Sequence, residues 1–338
     1  MTQQEITFLN LGESLDDLAN LDPRGYGVCK LLYKKSREYT KKPLCVNAAQ
    51  RLADVLKDAG LVYIMSGFVL MPYNKAETDG IISSVLLARA LIKAFNAKPV
   101  IICPEDAVPA VEALSAFLTD SAVKARAFTK DASKAAECAE EIIAEGLPQA
   151  VISIECSGAN KDGVYHNARG LDVTAVQAKQ DILFQKLCDA GVLNIAIGDL
   201  GNEIGMGAIG EYIKENIPVS CSCGCESGIV AKTAADNIIT ATVSDWGCYS
   251  LIAMLAYILE NPDIMHTAEI QEKAMKIGAE NGLIDMYGEH IPAIDGFGLE
   301  INRSIVALMG ELVKSALNLK EKCKPWFDDI IKINSFNR

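Results

Sequence analysis

Short apolar, β-branched runs recur along this chain, and a helical pattern separates most of them from the next. The runs are Leu61–Met65, Pro99–Cys103, Val123–Phe128, Ala150–Glu155, Leu193–Ile197 and Asn237–Val243. Between them lie Asp79–Phe95, Ala107–Leu118, Ala132–Glu145, Thr174–Ala190 and Gly205–Glu215. In Asp79–Phe95, the residues Ile81, Val85, Ala88, Ile92 and Phe95 fall at steps of four and three, which makes one apolar helix face. Strands that are apolar on both sides must be covered twice. The alternation therefore predicts an α/β fold: a mostly parallel sheet with helices on both faces, a three-layer, Rossmann-like arrangement.

The first part of the chain reads differently. Residues 1–58 form a helical prelude, with Ala48–Leu56 periodic and Pro43 before it, and residues 59–338 form the α/β body. The tail repeats Ile305, Leu308, Leu312 and Ala316, a helix expected to pack on that body. No repeat or Pro-, Gly- or Ser-rich linker divides the 338 residues, so one compact unit is expected.

A net charge of −12 argues against a nucleic-acid partner. Met1–Asp17 lacks the basic-then-apolar order of a secretory signal, and Trp246–Leu259 is too short to cross a bilayer. Eleven cysteines, an odd number, then favour reduced thiols and a cytoplasmic location. Cys221, Cys223 and Cys225 alternate, but no second pair accompanies them and His166, His266 and His290 are distant in sequence. They read as small, buried, free thiols in a strand and turn rather than as a metal site.

In a parallel sheet the carboxyl ends of the strands share one edge, where ligands bind. Three strands end there in polar or glycine-rich sequence: Ser66-Gly67-Phe68, Glu155, and Gly198-Asp199. The last opens the loop Gly198-Asp199-Leu200-Gly201-Asn202-Glu203-Ile204-Gly205-Met206-Gly207, which carries two carboxylates and a carboxamide. Glu77-Thr78-Asp79-Gly80 precedes a helix, so Thr78 or Asp79 is expected to cap it, with its free amides available to an anion. Ser244 or Asp245 is expected to cap the helix that follows. The long loop after Glu155 holds Tyr165, His166, Asn167 and Arg169, and an arginine there suits a carboxylate ligand. Gly205-Met206-Gly207-Ala208-Ile209-Gly210 fits a dinucleotide pattern only formally. It does not follow its strand directly, so helix packing is expected. Asp295-Gly296-Phe297-Gly298 reads as a turn or a pocket-closing loop.

With these pieces together, the chain resembles the C-terminal α/β domain of the D-glutamate cyclase family. The resemblance rests on Asp22-Pro23-Arg24-Gly25, Ser66-Gly67-Phe68, Glu77-Thr78-Asp79-Gly80, Leu87-Ala88-Arg89-Ala90-Leu91 and Ser153-Ile154-Glu155. It continues through Asp162-Gly163-Val164-Tyr165, Arg169-Gly170, the Asp199 loop and Val243-Ser244-Asp245-Trp246-Gly247-Cys248-Tyr249, in family order and over nearly the whole chain. It implies a hydro-lyase that converts D-glutamate to 5-oxo-D-proline and water. The chain departs from the family at Leu200, where glycine is usual. Cys156 and Ser157 replace an arginine and a proline, and Ile81 and Ile82 stand where prolines follow Asp79-Gly80.

Glutamate cyclisation needs a neutral amine, a protonated or polarised γ-carboxyl and a bent substrate. Asp199, Asn202, Glu203 and Asp79 are the expected catalytic residues, with Asp199 or Glu203 taking the ammonium proton. Ser66, Gly67, Glu155, Tyr165, Asn167, Arg169, Gly201 and Ser244 are the expected substrate contacts, Arg169 on the α-carboxylate. Asp79, Glu155, Asp199 and Glu203 could also hold a hard divalent cation, Mg2+ or Mn2+. No phosphate-binding G-x4-G-K-[ST] loop occurs, so no nucleotide is expected. The acidic set leaves two other readings open, a metal-dependent phosphoryl-transfer or hydrolytic enzyme and a non-catalytic module that binds a small acid. The expected partner is a small amino acid, with no nucleic acid and no membrane; self-association stays open.

Overall fold

A computed structural model of the chain describes residues 3–56, 60–119, 123–217, 219 and 221–322. Three helices come first, α1 (Gln3–Ala19), α2 (Val28–Thr40) and α3 (Leu44–Val55). Strand β1 (Leu61–Ser66) is followed by a small antiparallel hairpin, β2 (Val69–Leu70) and β3 (Lys75–Ala76), and by α4 (Ile81–Phe95). Next come β4 (Lys98–Pro104), α5 (Val108–Leu118), β5 (Lys124–Phe128), α6 (Ala135–Glu145) and β6 (Ala150–Ile154). The remainder is α7 (Gln180–Asp189), β7 (Leu193–Gly198), α8 (Gly210–Asn216), β8 (Asn237–Thr240), α9 (Ser244–Ile258), α10 (Ala268–Glu280) and α11 (Leu299–Lys322).

The large sheet has the order β5-β4-β1-β6-β7-β8, and each neighbouring pair is parallel. The chain runs outward from β1 through β4 to β5, then returns to the other side of β1 with β6, β7 and β8. The order therefore reverses between β1 and β6, and that point opens a crevice beyond the carboxyl ends of the strands. Register sets what faces it. Ser66 pairs with Ile154, Ile154 with Ile197, and Gly198 with Thr240, so Ser66, Glu155 and Asp199 arrive at one edge.

Both faces of the sheet are buried, as the apolar strands require. Along β1, Val62 and Ile64 enter one core while Tyr63 and Met65 enter the other. The first core gathers α1, α3, α4 and α11 around α9, a helix buried almost along its length. The second packs α6, α7 and α8 with Leu32 of α2 against the opposite face. Among the described residues, no helix is long and apolar enough to cross a membrane.

The three-layer α/β arrangement and the N-terminal helices agree with the sequence reading; several boundaries differ for local reasons. The helix expected over Thr174–Ala190 begins only at Gln180. Before it, Thr174 closes a turn on Asp172, and Gln177 pairs with both backbone groups of Val69. The helix expected from Gly205 starts at Gly210, because Gly205 (φ 94°) and Gly207 both donate to the Thr233 carbonyl. A Cβ on Gly205 would lie 2.1 Å from Ala196 Cβ, so this glycine lets the loop lie against the sheet. The hairpin β2–β3 and helix α10 were not anticipated. Residues 1–2, 57–59, 120–122, 218, 220 and 323–338 of the expected prelude and body lie outside the described residues.

Candidate active site at the carboxyl edge of the sheet

Asp79, Glu155 and Asp199 come from three separate segments, and their ligand oxygens lie within 4.8 Å of one another, all buried. Glu155 leaves β6 with φ 45°, a left-handed conformation rare for a side chain of this kind. Gly80 makes the approach of α4 possible. At φ 81°, a Cβ there would meet Ser66 Oγ at 2.6 Å and Glu155 Cβ at 2.7 Å. Ser66 Oγ is itself buried without a hydrogen-bond partner.

Neither expected helix cap forms; the two helix starts cap each other instead. Val243, not Ser244 or Asp245, holds the N-cap position of α9, and no side chain caps it from within. Asp79 crosses over to accept from the Ser244 and Asp245 amides, at 3.1 and 2.8 Å. In return Asp245 accepts from the Gly80 amide at 2.7 Å. Thr78, the other expected cap, donates its hydroxyl to the Ala293 carbonyl (2.7 Å) and draws the late loop to the site. Ser244 Oγ is released to donate to Glu155 Oε2 at 2.6 Å. Of the amides at the start of α4 expected to address an anion, that of Gly80 is thus already taken by carboxylates.

Glu203 is turned into its own loop. Its two oxygens accept from the amides of Asp199 (3.2 Å), Leu200 (2.9 Å) and Gly201 (2.7 Å), so it shapes the loop that presents Asp199. Gly201 (φ 98°) supplies the bend. Asn202 donates to the His166 carbonyl at 3.1 Å and keeps a buried, unpartnered Oδ1. Gly67, at φ 108°, turns the chain out of β1 against Pro104.

In the loop after β6, Tyr165 and Asn167 have partners within the chain. The Tyr165 hydroxyl is committed to Asp181, with Lys179 Nζ 4.3 Å from the ring centre, and the ring packs with Phe68, Ala159 and Val173. Asn167 closes its own turn on the amides of Arg169 and Leu171, both at 3.0 Å. Arg169 is exposed, at the wall of a cavity of about 530 Å3 that also reaches Asp199, Leu200, Arg24 and Asp295. Cys156 is buried and donates to Gln180 Oε1.

Arg24 brings a cation beside the carboxylates. It pairs with Asp295, donates to the Thr242 carbonyl at 3.0 Å, and feels the charges of Asp199 and Asp79. Burial works against its charge, but these acids hold its pKa above the ordinary arginine value. In sequence Arg24 lies in Asp22-Pro23-Arg24-Gly25 and Asp295 opens Asp295-Gly296-Phe297-Gly298. Their long separation in sequence hides the pairing.

Burial, then Glu203 and other neighbouring acids, pushes Glu155 well above the usual carboxylate range. Burial with Glu155 and Asp295 does the same to Asp199, burial with Asp245 and Glu155 to Asp79, and burial with Glu155 to Glu77. Burial raises Asp295 to about 6 even against Arg24. Carboxyls crowded in this way share protons or need a cation. The site can therefore hold an acid and a base of the same residue type side by side.

The alternating cysteines also depart from expectation. Cys223 is exposed, no strand forms over 221–225 beside the expected turn, and His166 stands among the three sulfurs.

The sequence model of a family described as "D-glutamate cyclase-like, C-terminal" matches residues 15–310. A human protein, "D-glutamate cyclase, mitochondrial", is 34% identical over 112 residues. That match covers 32% of this chain and only 17% of the human protein's length.

Proposed function

The chain belongs to the D-glutamate cyclase-like C-terminal family, and from that premise we propose that it is a hydro-lyase closing D-glutamate into 5-oxo-D-proline and water. The observation that carries the reading is the buried trio Asp79, Glu155 and Asp199 at the switch point of the sheet, beside one guanidinium. In the reaction the substrate nitrogen bonds to the γ-carboxyl carbon. The ammonium nitrogen gives up two protons and one γ-carboxylate oxygen gains two; that oxygen's bond to carbon breaks and it leaves as water, with no net proton taken up or released.

Each part has a candidate in the chain. Arg24, with Arg169 at the mouth, suits the substrate α-carboxylate and fixes one end of the molecule. Asp199 lines the cavity directly and is the base for the ammonium proton. Glu155, whose carboxyl burial and then Glu203 push well above the usual range, supplies the proton that leaves with the γ-hydroxyl. Ser244, bonded to Glu155, fixes which oxygen carries that proton. Glu203 acts through the loop and positions Asp199. Because the attack is intramolecular, holding a bent conformer accounts for much of the acceleration.

The all-oxygen donor set of Asp79, Glu155 and Asp199 also fits a hard divalent cation such as Mg2+ or Mn2+. When bound, it would supply charge neutralisation and polarise an oxygen. The test is incubation of the purified chain with D- and L-glutamate, with and without Mg2+ or Mn2+, and assay of 5-oxoproline by enantiomer. Lactam from D-glutamate is expected. Saturable D-glutamate binding without product would make the chain a binding module and overturn the reading.

A further inference from the structure

Outside the carboxylate site, the turn at residues 221–225 meets the loop after β6 in a second cluster of ligand-type atoms. His166 Nε2 lies 2.9 Å from Cys221 Sγ, 3.5 Å from Cys223 Sγ and 3.8 Å from Cys225 Sγ. Cys221 Sγ lies 2.8 Å from Cys223 Sγ and 3.3 Å from Cys225 Sγ. The four atoms form a closed set within 4.8 Å. A tetrahedral zinc site with three thiolates and one imidazole has edges of about 3.5–3.8 Å, from its ordinary bond lengths. The cluster here has that composition and is somewhat tighter.

We propose that His166, Cys221, Cys223 and Cys225 are a structural site for a borderline-soft divalent cation, Zn2+ in the first place, which staples the Cys221–Cys225 turn to the His166 loop.

Three observations favour a metal over free or paired thiols. A disulfide would use two sulfurs and leave the third facing an imidazole, whereas one tetrahedral cation satisfies all four donors. Nitrogen donors point at the sulfurs: Asn160 Nδ2 lies 3.2 Å from Cys225 Sγ, and the Cys223 amide 3.3 Å from Cys221 Sγ. Such bonds are what thiolate ligands receive from their surroundings. His166 is fully buried with its Nε2 toward the sulfurs, and its Nδ1 remains to carry the ring proton.

The same two segments are already joined around the cluster. The Ser222 amide donates to Gly170 O (2.8 Å), the Ser227 amide to Asp162 Oδ2 (3.1 Å), and Asn160 Nδ2 to Gly228 O (2.8 Å). These segments wall the cavity through Arg169, Val219 and Ile229. The His166 carbonyl also receives Asn202 of the Asp199 loop. The ion would therefore hold a wall of the pocket and contribute no atom to the reaction.

The test reads metal and does not depend on the cyclase assignment. The full chain, expressed with zinc and purified under reductant, should carry about one zinc per chain by elemental analysis. Exchange with Co2+ should produce an intense sulfur-to-metal charge-transfer band. Both signals should persist in Glu155→Gln, which leaves the sulfurs intact, and fall about tenfold or more in Cys221→Ser/Cys225→Ser. Should that double variant not fold, mercurial titration of the wild-type thiols must release the zinc to a chromophoric chelator in step with thiol loss. Zinc-free wild type, cobalt without the charge-transfer band, or zinc that survives thiol blockade would overturn the proposal.

Discussion

The carboxylates at the sheet edge and the sulfurs around His166 are both crowded sets of like groups, but they stand on different parts of the fold. Glu155 and Asp199 follow directly from β6 and β7, and Asp79 leads into α4, so regular elements set their spacing. His166 and the three cysteines belong to loops with no regular structure beneath them. Oxygen donors held rigidly in a dry crevice remain costly and poised to exchange protons. Sulfur and imidazole donors on loops suit an ion whose binding is itself what holds the loops together. On the two proposals above, the first region carries the chemistry and the second holds the loops together.

The largest effect expected is on turnover. Glu155→Gln or Asp199→Asn should lower 5-oxoproline formation by about 10²–10⁴-fold, the range for loss of a positioned acid or base. Neither should change the zinc content. An intermediate effect separates a residue that reacts from one that positions. Glu203→Gln puts an NH2 donor where three amides need acceptors, so it should cost about 1–3 kcal/mol in urea unfolding, through buried groups left unpaired. Full stability in that variant would remove Glu203 from its loop-shaping role.

The smallest effect is on pH dependence, and its sign follows from the carboxyls. Their folded pKa values are raised, so the folded state binds more protons than the unfolded one, and stability falls as pH rises through that window. Asp16 and Asp295, both raised to about 6 with burial the leading cause, titrate at its lower end. Asp79, Glu155 and Asp199, raised above the usual carboxylate range with burial the leading cause, act in the same direction. His266, which burial lowers to about 3, opposes this only on the acid side of its ordinary 6.5. Between about pH 8 and pH 6.5 the melting temperature should therefore rise on acidification, and Glu155→Gln should flatten that slope. A melting temperature that falls over this range would mean that the trio is ionised and neutralised by other means.

The edge of the sheet was legible because strand periodicity is local: Leu61–Met65 and Leu193–Ile197 announce themselves, and their polar ends follow. The parallel register then had to bring Ser66, Glu155 and Asp199 together. What stayed hidden were pairings across long separations. Asp79 reads as a cap for its own helix, and only packing reveals that it caps α9. Arg24 and Asp295 meet although some 270 positions separate them. His166 lies 55 positions from Cys221 in sequence, which made the cysteine triplet look like free thiols. Tyr165 and Asn167 had suitable chemistry, but hydrogen bonds to Asp181 and to their own turn had already claimed them.

The most direct measurement is equilibrium dialysis of D-glutamate against Glu155→Gln and wild type, with 5-oxoproline assayed in the same samples. The account predicts that the variant still binds D-glutamate, because the arginines are untouched, and forms almost no lactam while the wild type converts it. Lactam formation at the wild-type rate by Glu155→Gln would contradict it.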